Sequence, residues 1–75
     1  MNWRDHVQSN PAGCHGKACI KGTRVMVSVI LDNVAAGLTT AEVLRLYPGL
    51  RDEHVAAALA YAADLARERI VHTVA

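Results

Sequence analysis

Ala36-Gly37-Leu38-Thr39-Thr40-Ala41-Glu42-Val43-Leu44 decides how this chain folds. Gly37 suits the left-handed position that closes a helix, because it carries no Cβ to clash there. Thr39 is a strong N-cap residue, and Glu42 follows at the spacing of a capping box, in which each side chain satisfies an orphan backbone N–H. Leu38 before the cap and Val43 at the fourth helical position fit a hydrophobic staple, which fixes the angle at which the chain enters the helix. The stretch predicts one helix ending, a sharp corner, and a second helix starting.

The elements on either side follow from this corner. Upstream, Ser28 is the expected N-cap of a helix over 28–36, with Val29, Ile30, Leu31, Val34 and Ala35 on one broad face. Downstream, the second helix is expected over 40–47 and stops at Pro48-Gly49, since proline has no N–H to continue it. A third helix is expected over 52–70. Asp52 and Glu53 complement the positive end of its dipole, and Arg67 and Arg69 the negative end. Val55, Leu59, Ala62, Leu65, Ala66 and Ile70 recur on it at helical spacing. Residues 1–27 lack that period. Trp3–Val7, Cys19-Ile20 and Thr23–Val27 are extended candidates, separated by turn chemistry at Asn10-Pro11 and Lys21-Gly22. The reading is a mainly α fold: a single domain over 1–75, with a two-strand β arm (1–27), a three-helix helix-turn-helix core (28–70) and a short tail (71–75).

Composition narrows the function classes. The chain has 75 residues, a formal charge of +1, and no Phe. So short a chain buries a modest core, and the third helix is longer than two short helices can cover. A homodimer is therefore expected, with Val55, Leu59, Ala62 and Leu65, or else the strand arm, at the interface. No apolar run is long enough to span a bilayer and no secretory leader is visible, so a cytoplasmic protein with reduced cysteines is expected.

Catalysis is not expected. Carboxylate pairs are scarce, no Gly-rich phosphate loop is present, and Cys14-His15 are neighbours in sequence only. Neither is a metal or cofactor: His6, Cys14, His15 and Cys19 give four possible zinc ligands, but Cys-x4-Cys is wider than a zinc knuckle and lacks a second pair. No small-molecule substrate is indicated. For DNA, the start of the third helix offers Arg51 and His54, opposed by Asp52 and Glu53 and followed by alanines. Lys17, Lys21 and Arg24 on the arm are the better candidates for backbone phosphates.

Gly16-Lys17-Ala18-Cys19-Ile20-Lys21-Gly22-Thr23-Arg24-Val25 and Val27-Ser28-Val29-Ile30-Leu31 together resemble a known family. So do Ala36-Gly37-Leu38-Thr39, Tyr47-Pro48-Gly49-Leu50 and Val55-Ala56-Ala57-Ala58-Leu59-Ala60-Tyr61-Ala62. The resemblance is to the small bacterial domain-of-unknown-function family numbered 433, whose members are often described as antitoxins, and it runs from about Asn10 to Leu65. It implies a homeodomain-like three-helix fold with a strand arm, and pairing with a toxin resembling the PIN nucleases. Arg51 stands where the family commonly has a capping Thr or Ser, and Ala18 and Met26 where it commonly has Pro. The function expected on these grounds is an antitoxin-like homodimer that binds a PIN-like toxin and its own operator DNA. A stand-alone DNA-binding regulator and a dimerisation module without nucleic-acid contact are the alternatives.

Overall fold

The structure, a computed structural model, describes residues 2–9 and 16–68. A 3-10 turn (Trp3–Asp5) leads into strand β1 (Val7–Ser9), and strand β2 (Ala18–Ile20) returns antiparallel to it. Helices α1 (Val27–Ala35), α2 (Thr40–Leu46) and α3 (Asp52–Glu68) follow. The protein is mainly α with a short β arm.

The corner forms as its residues dictate. Gly37 has φ 99°. Its N–H reaches the Val34 carbonyl at 3.0 Å, and the Leu38 N–H reaches that of Asn33 at 3.1 Å. These two bonds make a complete Schellman ending. The capping box is complete as well: the Thr39 N–H donates to Glu42 Oε1 at 3.0 Å, and the Glu42 N–H to Thr39 Oγ1 at 3.2 Å. Val43 is fully buried, with Leu38 half-buried against the same core.

The arm departs from expectation in three places. Trp3–Asp5 is a 3-10 turn rather than strand, because the Asn2 side chain accepts from the Arg4 N–H and the Trp3 carbonyl from the His6 N–H. Thr23–Val27 contributes a single bridge, Cys19 to Met26, instead of a strand. That bridge holds Met26 extended, so α1 starts at Val27 with Met26 as a cap lacking a side-chain bond, and Ser28 lies inside the first turn. The turn between these segments is built by Gly22, at φ 79°, and by Thr23, whose hydroxyl donates to the Ile20 carbonyl and accepts from the Val25 N–H.

The core is small and aliphatic. Val7 and Ile20, cross-strand partners, pack on Val27, Ile30, Val43, Leu50, Val55, Ala57 and Ala58. Complete burial of a Val or Ile side chain contributes about 1.5–3 kcal/mol. Ala57 and Ala58 are wholly buried, so part of the alanine run lets α3 approach the rest of the core closely. Ile70 and the tail over 71–75 lie outside the described residues.

Candidate functional site

Two features stand out on the surface. The first is an apolar groove of about 640 Å³ between the arm, α1 and α3, walled by Trp3, Val7, Val27, Leu31, Tyr61 and Leu65. The N-terminal turn forms one wall because Trp3 packs edge-on against Tyr61, with ring centroids 4.9 Å apart. The indole N–H also donates to Asp64 Oδ2. Asp64 accepts in addition from Arg67, and the Trp3 and Arg67 donors hold its carboxyl below the usual range. Lys17, Gln8, Ser9 and Ser28 add polar side chains to the lining of this apolar groove.

The second feature is a polar edge at the start of α3. The Lys21 N–H donates to the His6 carbonyl at 2.8 Å. The His6 ring lies 5.7 Å from that of His54, edge-on. His54 Nδ1 accepts from the Arg51 N–H at 3.0 Å. His54 thus fills the place a Glu occupies in a capping box, and supplies half of the cap that Arg51 cannot. Glu53 lies beside both imidazoles, with one donor atom from each of the three residues within 4.8 Å of the others.

The expected site residues are distributed between these features. Lys21, Arg51 and His54 gather at the polar edge, whereas Lys17 lines the groove. The two lysines flank β2 and are about 13 Å apart along the extended chain. Arg51 faces Glu53 at 3.8 Å, and the His54 Nδ1 is already engaged, so the start of α3 presents a mixed surface and not a basic one. Arg24 is exposed on the return from the turn. The stripe expected at a dimer interface divides. Val55 is 2% exposed and belongs to the core, so it is not available to a partner. Ala62 is half-buried, and Leu59 and Leu65 are 45% and 42% exposed. Six residues on a helix amount to about 120° between the last two, so they point in different directions. Leu65 faces the groove.

Sequence reasoning missed Trp3 with Asp64, and His6 with Glu53. No local spacing links residues so far apart in the chain. Asp64 and Arg67 at i, i+3 were the one local hint of a polar cluster there.

Among the described residues, no helix is long and apolar enough to cross a membrane. No curated protein matches the chain. The crystal structure of a DUF433 member protein from Anabaena variabilis ATCC 29413 is similar to it, with a TM-score of 0.77 and 31% sequence identity over 87% of this chain. The chain spans 64% of the length of that protein. The model of the family described as "Protein of unknown function (DUF433)" matches residues 7–62. Both strands, the corner and α3 as far as Ala62 fall inside that match, and the chain belongs to the DUF433 family.

Proposed function

We propose that this protein is a non-catalytic protein-binding module of the antitoxin kind, which acts in the cytoplasm as a homodimer and masks a PIN-like toxin. The observation that carries the protein-binding part is the groove: an apolar trough between the arm, α1 and α3 with a few polar side chains in its lining, one of whose lining residues, Leu65, is left 42% exposed. Apolar cavities with a few polar groups at their margin are the ordinary form of a binding surface. The toxin as partner rests on the family resemblance.

Co-expression with the product of the adjacent gene, followed by purification, tests this reading. A stoichiometric complex that is lost on Leu65→Glu is the expected result. Size-exclusion with light scattering gives the oligomeric state, and a monomer at micromolar concentration that ignores its neighbour would end the proposal.

Operator contact is the second part of the reading. It is carried by Lys21 and Arg24 at one end of the arm, doubled in a dimer, rather than by α3. Binding to the upstream DNA should weaken steeply with salt and fall on Lys21→Ala with Arg24→Ala. A salt-independent signal would reject it.

A further inference from the structure

We propose that His6, Glu53 and His54 form a binding site for a divalent transition cation of the zinc class. The three residues come from two separate elements. His6 sits between the 3-10 turn and β1, with its own N–H bonded to the Trp3 carbonyl and its carbonyl bonded to the Lys21 N–H. Glu53 and His54 are in the first turn of α3. Fixed backbone on both sides brings one donor atom from each within 4.8 Å of the others. Donors around a tetrahedral zinc lie about 3.3 Å apart, so side-chain adjustments of about an ångström close the site. Two imidazoles and a carboxylate are a zinc donor set, and they suit calcium or magnesium poorly.

The surroundings favour occupation. Both imidazoles are half-buried. Among the described residues, the His6 ring has no hydrogen-bond partner and only the edge contact with His54. The Arg51–Glu53 pair is long, at 3.8 Å, and its side chains are 79% and 47% exposed, so it competes weakly for the carboxylate. The positive end of the α3 dipole opposes a cation here, and Asp52 and Glu53 in the same turn offset it.

Binding has a structural consequence that identifies the site. His54 Nδ1 accepts from the Arg51 N–H. An ion on Nδ1 takes that lone pair. An ion on Nε2 leaves the neutral ring with its proton on Nδ1, which then cannot accept. On either nitrogen the cation withdraws the cap from α3 while it clips the arm to the helix.

Zinc titration of the full chain, by calorimetry and by two-dimensional amide NMR, tests this. One ion per chain is expected, with affinity weakened at least about tenfold in His6→Ala and in His54→Ala, and unchanged in Cys14→Ser with His15→Ala. The Arg51 amide signal should move and its hydrogen exchange quicken as zinc saturates. Unaltered affinity in His6→Ala, loss of binding in the Cys14/His15 variant, or an Arg51 amide that stays in place at saturation would each overturn the assignment. All three variants are checked by their apo spectra, so a folding defect is distinguished from a lost ligand.

Discussion

The indole N–H of Trp3 donates to the Oδ2 atom of Asp64, 61 residues further along the chain. Arg4 lies 4.4 Å over the same indole, and Tyr61 meets it edge-on. These contacts clasp the N-terminal turn to the second half of α3 and build one wall of the groove. Trp3→Ala should therefore destabilise the protein by about 1–3 kcal/mol, less than the roughly 3–5 kcal/mol for a fully buried Trp, because Trp3 is half-buried. Urea denaturation followed by circular dichroism measures it. A change under about 0.5 kcal/mol, within the range of ordinary surface substitutions, would mean the clasp carries no stability.

The clasp depends on pH in a defined direction. Asp64 titrates below the ordinary carboxylate range, because Trp3 and then Arg67 donate to its ionised form. A group with a depressed folded pKa contributes fully above its unfolded pKa and loses that contribution as pH falls through the folded value. The urea midpoint should fall more steeply on acidification in the natural chain than in Asp64→Asn, and the emission of Trp3, the single tryptophan, should shift to the red over the same range. Parallel profiles for the two proteins would contradict this account.

At the corner, Thr39→Ala should cost about 1 kcal/mol and Thr39→Ser much less, since serine keeps the acceptor for the Glu42 N–H. Gly37→Ala should cost about 1 kcal/mol as well. A Cβ there would meet nothing within 4 Å, so the cost comes from the φ of 99° and not from a clash. If Gly37→Ala left the thermal midpoint unmoved, the left-handed ending would be wrong.

The alanines of α3 should separate into two classes. Ala57 and Ala58 are wholly buried, whereas Ala56 and Ala63 are exposed. Enlarging a packed position costs about 1–3 kcal/mol through displaced neighbours. Ala58→Leu should lower stability by that amount, with Ala56→Leu near neutral. Equal effects at both positions would place the α3 core face elsewhere.

The residues that announced themselves in the sequence are those whose partners lie within four positions. Gly37, Thr39 with Glu42, and the stop at Pro48 read correctly because caps and turns are closed by short-range hydrogen bonds. Even there the reach was limited. Ser28 looked like a cap, yet the bridge from Cys19 to Met26 put the cap of α1 two residues earlier, at Met26. Arg51 looked like a lost cap, yet His54 supplies half of one. On α3 the apolar period was visible but its phase was not. Val55, Leu59 and Leu65 read as one stripe, and packing sent Val55 inward and Leu65 to the groove.

The sequence by itself determined the three helices, the corner between the first two, and an extended arm ahead of them, because backbone propensity and capping act over one or two turns. Only the tertiary structure decided that Trp3 closes on Asp64, that His6 meets His54 and Glu53, and that an apolar trough opens between arm and helices. Those meetings depend on how whole elements pack, and close packing of a small aliphatic core sets their geometry through many weak contacts that no local pattern encodes.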